Sequence, residues 1–273
     1  MADHAHNLRA EFGRGRPFGV ITRGTTGFNR LRRSDRWTIH QHQVRSLLAH
    51  ADSPLAIDVG YGGSYTTTVE WSRALRTLRP DVRTIGLEID PQRVLPPREG
   101  VHFELGGFEL AGYRPHMVRA FNVLRQYDIK QVEQAWEMVC SRLAPGGLFV
   151  EGTCDELGRR AAWLLLDAQG PLSLTLAWDP FDVSTPSELA ERLPKALIHR
   201  NVPGEPIHAL LCAADRAWEH AAGWESYGPR VRWAQARQLL IHDGVPLAPI
   251  RRKIRDNVLT VPWEMVAPTD GHR

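Results

Sequence analysis

Lysine is nearly absent from this chain: of 34 basic residues only Lys130, Lys195 and Lys253 are lysine, and the rest are arginine. A Gly-x-x-x-x-Gly-Lys-[Ser/Thr] phosphate loop is therefore excluded from the whole region before Lys130. Cysteine is scarce too. Cys140, Cys154 and Cys212 are widely spaced and form no CxxC pair and no Cys/His spacing that would close around zinc, so free thiols in a reducing compartment are expected, with no metal. Long apolar runs are missing: Ala161 to Leu166 falls far short of the ~20 residues of a membrane span. No charged-then-apolar segment opens the chain, so a cytoplasmic protein without a membrane association is expected. Tandem repeats and low-complexity linkers are also lacking.

The chain has ordinary globular composition, with 273 residues of which 42% are hydrophobic. At this length a full core needs no disulfide or metal staples. The overall charge is balanced, 34 basic against 31 acidic residues, but residues 1–50 hold nine Arg against Asp3, Glu11 and Asp35. Three regions are expected: a basic N-terminal arm and helix (1–50), a core of alternating strands and helices (51–180), and C-terminal helical additions packed on it (181–273).

The alternation is legible from residue 54 onward. Pro54 to Gly60 is a short apolar run ending in glycine, followed by the turn Tyr61-Gly62-Gly63-Ser64 and a segment to Arg79 with helical character. Arg83 to Asp90, Val101 to Leu105, Met117 to Val123 and the segment from Leu148 read as further strands. Helical spacing predicts helices over 37–49, 128–143, 156–168, 187–193, 207–222 and around 232–241. Leu172 to Trp178 alternates as a late strand. Strands alternating with helices imply an α/β fold: a Rossmann-like, doubly wound, mainly parallel sheet covered on both faces. Trp136, Trp163 and Trp218 are assigned to the core, and His40 and His42 to the surface.

In such a sheet the ligand sits beyond the carboxyl ends of the strands, where strand order reverses. The first strand-to-helix turn is that place. Glycines at 60, 62 and 63 let the backbone adopt positive φ and approach a ligand, and the following helix offers unpaired N–H groups. Glu88 ends the second strand, where a carboxylate can accept from both ribose hydroxyls. Together these features describe a nucleoside-containing cofactor. The dinucleotide fingerprint Gly-x-Gly-x-x-Gly is incomplete, since the sixth position from Gly60 is Tyr65, which counts against NAD and an NAD-linked oxidoreductase.

Ala56-Ile57-Asp58-Val59-Gly60-Tyr61-Gly62-Gly63-Ser64, with Gly86-Leu87-Glu88-Ile89-Asp90 after one helix, resembles the class I S-adenosylmethionine-dependent methyltransferases. The resemblance spans Leu55 to Trp178. It implies a seven-stranded sheet with one late antiparallel strand. It also implies S-adenosylmethionine as cofactor and S-adenosylhomocysteine as product. Asp58 and the turn Gly60, Tyr61, Gly62, Gly63 and Ser64 would surround the methionine portion, with Glu88 and Ile89 at the ribose and Gly107, Phe108 and Glu109 flanking the adenine. Asn122 would face the methyl-transfer site. The [Asp/Asn]-Pro-Pro-[Tyr/Phe] tetrad of base-amino methyltransferases is replaced by Asn122-Val123-Leu124-Arg125, which counts against that subgroup.

Methyl transfer from a sulfonium needs little covalent help. For a hydroxyl acceptor, Glu151 and Asp155 beyond the fifth strand are the acid/base candidates; both also fit a helix-cap or solvated role. The Arg-rich arm fits closure over the cofactor pocket, with Arg23 or Arg30 as candidates to hold a substrate carboxylate, and equally fits RNA phosphates with Phe18 or Phe28 stacking on a base, or a solvated surface. His199, Arg200 and Asn201, beside the Pro203-Gly204 turn, are further acceptor-pocket candidates. A small-molecule acceptor is favoured over RNA, and a non-catalytic regulator binding cofactor or RNA is the alternative of a different class.

Overall fold

Strands buried on both faces run without the polar alternation of half-exposed ones, and of the first five strands only the edge strand, third in sequence, shows that alternation, with His102 exposed between Val101 and Phe103. The five are Leu55–Val59 (β1), Arg83–Glu88 (β2), Val101–Leu105 (β3), Met117–Phe121 (β4) and Leu148–Cys154 (β5). The structure, a computed structural model, describes residues 18–19, 27–249 and 255–269. Three more strands follow, Arg160–Asp167 (β6), Gly170–Trp178 (β7) and Asn257–Pro262 (β8), and all join one sheet in the order β3-β2-β1-β4-β5-β6-β7-β8. β1 to β5 are mutually parallel, and β6, β7 and β8 each run antiparallel to the preceding neighbour.

The α/β class, the parallel half and the reversal of strand order between β1 and β4 agree with the expectation. The sheet nevertheless has eight strands rather than seven, and its antiparallel part is a three-strand meander rather than one late strand. The helix expected over 156–168 is β6. Its run Ala161 to Leu166 is buried on both faces, so no alternation marks it as a strand, and a short apolar run of this kind reads equally as buried helix. What selects the strand is the turn before it. The Asp155 carboxylate accepts from the backbone N–H groups of Arg159 (2.7 Å) and Arg160 (3.2 Å), reversing the chain directly out of β5. β8 lies in the region expected to be helical. Its alternating Val258 and Thr260 belong to a strand that pairs with β7, where the Thr175 and Thr260 hydroxyls meet at 2.9 Å.

Helices cover both faces. Arg32–His40 (α1), His42–His50 (α2) and Thr66–Arg76 (α3) pack Trp37, Leu48, Trp71 and Leu75 against Phe121 and Trp163. The single helix expected over 37–49 is broken at Gln41, which is extended. On the other face lie Ile129–Cys140 (α4), Lys195–Ile198 (α5), Pro206–His220 (α6) and Pro229–His242 (α7), with Val132, Leu211 and Trp233 against Phe149, Leu164 and Trp178. Residues 186–192 form a 3-10 turn rather than an α-helix. Among the described residues no helix is long and apolar enough to cross a membrane.

Two buried arginines tie the N-terminal helices to the sheet. Arg33 on α1 pairs with Asp179 (2.8 Å) and Asp256 (3.2 Å) and donates to the Gly158 carbonyl. Arg119, mid-β4 and 1% exposed, donates to both oxygens of Asp58 on β1 (2.9 and 2.5 Å), to Asp35 on α1 (2.7 Å) and to the Thr67 carbonyl on α3 (3.0 Å). Removing one member of such a cluster strands the others as buried charges, a loss of about 3–5 kcal/mol, whereas apolar replacement of the whole set is close to neutral. Arg119→Met should therefore lower stability to urea by about 3–5 kcal/mol, and the triple variant Arg119→Met/Asp58→Leu/Asp35→Leu should recover much of it. A single variant as stable as the parent would show that the cluster contributes nothing.

Candidate active site

The turn after β1 requires glycine at its first position. Gly60 has φ 69°, and a Cβ there would lie 2.7 Å from Val123 Cγ2, so conformation and packing both exclude a side chain. The Gly60 N–H bonds the Leu87 carbonyl at 2.8 Å, tying the turn to β2. At the end of β2 the buried Glu88 carboxylate accepts from three backbone amides: Gly62 (2.9 Å), Ile89 (2.9 Å) and Asp90 (3.2 Å). A carboxylate has about four acceptor positions, so one remains toward the cavity that Glu88 lines. The acidic strand end thus holds the glycine turn in shape as well as facing the site.

The other turn residues divide. The Tyr61 hydroxyl bonds the backbone at Arg93 and Leu95, its ring packs edge-on to Phe103, and burial pushes its pKa up to about 12. Ser64 Oγ accepts from the Thr66 N–H at 3.3 Å and meets the Thr66 hydroxyl, closing the start of α3. Gly63 has open space where a Cβ would be. Asp58 points the other way: Arg119 and the Thr68 hydroxyl (2.7 Å) occupy it on the α1–α3 face, and it does not line the cavity.

That cavity lies at the switch point between β1 and β4. Its walls are Val59, Gly60, Glu88, Ile89, Gly106 to Phe108, Val123 and Tyr127, and the segment Phe18-Gly19 closes it. Its free volume is about 10 Å³, room for one water-sized sphere. Phe18 lies along the loop after β3 as an added piece of backbone. Its N–H donates to Glu109 Oε2 (2.7 Å), and its carbonyl accepts from the Phe108 N–H (3.1 Å). Glu109 Oε1 accepts from the Gly107 N–H at 2.8 Å, which fixes the carboxylate. A Cβ on Gly107 would collide with the Phe18 carbonyl. Phe108 and Glu109 therefore present, side by side, one N–H donor and one carboxylate acceptor, and the backbone N–H and carbonyl of one residue, Phe18, satisfy both.

The ends of β4 and β5 are stitched by Asn122, itself at φ 60°. Its N–H bonds the Gly152 carbonyl (2.8 Å), its Oδ1 accepts from the Cys154 N–H (2.9 Å), and its Nδ2 donates to Cys154 Sγ (3.3 Å). The side chain is committed to the strand pair. Asp155 is committed to the turn described above, and its carbonyl accepts from Arg30 Nε at 2.9 Å. Arg23 lies outside the described residues. His199, Arg200 and Asn201 are not brought to the cavity: Arg200 pairs with Glu205 (2.9 Å), and Asn201 meets His208 (3.1 Å), so that turn closes on itself. Phe18 belongs to the arm whose closure over the pocket is one of the sequence readings; sequence reasoning missed Val123 and Tyr127 as cavity walls, and only a strand-end position for Val123 offered a signal.

Glu151 sits mid-β5 between Ala120 and Leu164, with its Oε2 buried and without a hydrogen-bond partner. Burial pushes its pKa from 4.5 up to about 8. Asp35 is raised from 3.8 to about 7 by burial, the nearby Asp58 adding to it against the pull of Arg119. A carboxyl raised in the folded state holds its proton while the unfolded chain ionises, so stability falls as pH climbs from the unfolded value through the folded one. Resistance to urea should therefore decline between about pH 5 and pH 8. Glu151→Gln, which carries no charge at either end, should flatten part of that decline and be more stable than the parent at pH 8. An unchanged slope in this variant would mean that Glu151 ionises freely.

No family model and no curated protein matches the chain. Among solved structures it is similar to the cyclopropane synthase MmaA2 from Mycobacterium tuberculosis, at 14% identity over 40% of this chain and 39% of that one with TM-score 0.30. It is also similar to human N-acetylserotonin methyltransferase, solved in complex with S-adenosylmethionine, at 20% identity over 47% and 42% with TM-score 0.30. A third is the sugar N-methyltransferase KedS8 from Streptoalloteichus, at 14% identity over 58% and 76% with TM-score 0.33. The chain spans about two fifths of the length of the first two. Overlaps of this extent describe shared strands and helices and carry no weight for activity.

Proposed function

We propose that the protein is an S-adenosylmethionine-dependent methyltransferase of the cytoplasm acting on a small-molecule acceptor. The observation that carries this reading is the cavity at the switch point, bounded by the Gly60 turn on one side and by the paired Phe108 N–H and Glu109 carboxylate on the other. The Watson–Crick edge of adenine offers an amino donor beside a ring-nitrogen acceptor, the same pattern that the Phe18 peptide supplies there. The donor set therefore fits a nucleoside once Phe18-Gly19 has moved aside. Moving aside is required, because small-molecule sites occupy roughly 300–1,000 Å³.

In this reading Phe108 and Glu109 hold the base edge, the remaining acceptor position of Glu88 takes a ribose hydroxyl, and the Gly60-Tyr61-Gly62 backbone lies against the amino-acid portion. Ile89 and Val123 form apolar walls. Asp58 and Asn122 act through position: the first anchors β1 to β4, the second fixes the ends of β4 and β5. The bound sulfonium would supply an already activated methyl group. What the chain contributes is alignment and exclusion of water. Glu151, held protonated near pH 7 by burial and with its Oε2 unpartnered, is the remaining acid/base candidate.

Calorimetry with S-adenosylhomocysteine and with NAD tests this directly. Saturable binding of S-adenosylhomocysteine alone is expected, lost in Gly60→Val. Because Phe18-Gly19 occupies the site, the apparent affinity is reduced by the fraction of closed molecules. Phe18→Ala, which removes a ring packed on the core, should then bind S-adenosylhomocysteine several-fold more tightly. Binding of NAD without S-adenosylhomocysteine would replace this reading with that of a dinucleotide enzyme.

A further inference from the structure

The region where β4 and β5 end gathers arginines with few carboxylates to answer them. Arg125 stands in the turn after β4, two residues beyond the cavity wall Val123, and its buried Nη1 has no hydrogen-bond partner. Arg192 is brought to the same place by its carbonyl, which accepts from the Thr153 hydroxyl at the end of β5. Arg30 reaches there through its Nε on the Asp155 carbonyl, 2.9 Å away. Asn122 bonded to Cys154 joins the two strand ends between them.

The acids nearby are already engaged. Asp155 accepts from backbone amides. Glu191 is shared between Arg192 (3.3 Å) and Arg160 (3.5 Å), and Arg160 is also held by Asp182 and Glu188. Burial, and then the neighbouring Arg192, lower the pKa of Arg125 against the opposing pull of Glu191. Buried charges are ordinarily paired, and a guanidinium presents a planar fork that matches a carboxylate or phosphate.

We infer that Arg125, with Arg30 and Arg192, forms an anion-binding site at the ends of β4 and β5 that grips a carboxylate or phosphate of the acceptor. The anion is a handle that orients the acceptor and is not itself the methylated group. Its meaning as an acceptor site rests on the methyltransferase reading; the anion site itself does not.

Calorimetry on the full chain with benzoate and phenyl phosphate, against neutral benzamide, tests the inference, with S-adenosylhomocysteine titrated separately. The two anions are expected to bind about tenfold more tightly than benzamide, in keeping with charge-assisted bidentate bonding, and the tighter of them identifies the group recognised. Arg125→Gln should abolish the preference while leaving S-adenosylhomocysteine affinity within about twofold, and Arg125→Lys, keeping the charge but not the fork, should restore it in part. Arg73→Gln, at an exposed ion pair with Glu99, should retain the parent's preference. Anions that bind no better than benzamide, or a preference that survives Arg125→Gln, would overturn the inference. If the preference holds but S-adenosylhomocysteine does not bind, the anion site stands and the methyltransferase reading falls.

Discussion

Arg119 is the point on which the sheet and its N-terminal cover meet. A guanidinium in the middle of β4 cannot be buried without partners, and the partners come from three other elements: Asp58 on β1, Asp35 on α1 and the Thr67 carbonyl on α3. The ring of Trp71 lies against the same guanidinium, 4.6 Å from its carbon. Because β1 and β4 flank the switch point, the cluster ties α1 and α3 to the two strands whose ends frame the cavity. It also explains why Asp58, an acid beside a glycine turn, faces away from the ligand side. Burial beside a second carboxylate, Asp58, keeps Asp35 shifted upward despite the pull of Arg119.

The parallel half was legible because its signals are local. A short apolar run, a glycine turn and a terminal acid mark β1 and β2 without any knowledge of the rest, and the site at their ends follows from the geometry of open sheets. The antiparallel half was not. β6 is buried on both faces, so the period that separates strand from helix is erased, and β8 is defined only by pairing with β7, a long way back in the chain. The same limit applied to individual residues. Glu88 was recognisable from its strand-end position and Glu109 only through the family resemblance, but the occupation of Asp58 by Arg119, of Asn122 by Cys154 and of Glu109 by the Phe18 backbone depends on contacts distant in sequence.

Two edges of the site differ in character. Around β1 to β3 it is made mostly of backbone amides and two fixed carboxylates, an arrangement that reads a heterocycle and sugar by hydrogen bonds. Around β4 and β5 it is made of arginines, which read charge. Under the proposed methyltransferase reading, a hydrogen-bonding edge for the cofactor and a cationic edge for the acceptor fit a reaction in which alignment, rather than covalent help, is the protein's main contribution.

Arg33 has a consequence for how the molecule is made. Its carboxylate partners, Asp179 and Asp256, lie far downstream in the sequence, so α1 is translated well before either of them. Until Asp256 has been synthesised, this guanidinium cannot complete its buried pairing, and α1 cannot seat with all its ties on the sheet. The parallel strands can assemble during translation, but closure of the N-terminal cover is a late, long-range event, of the kind that slows folding by the cost of bringing distant segments together.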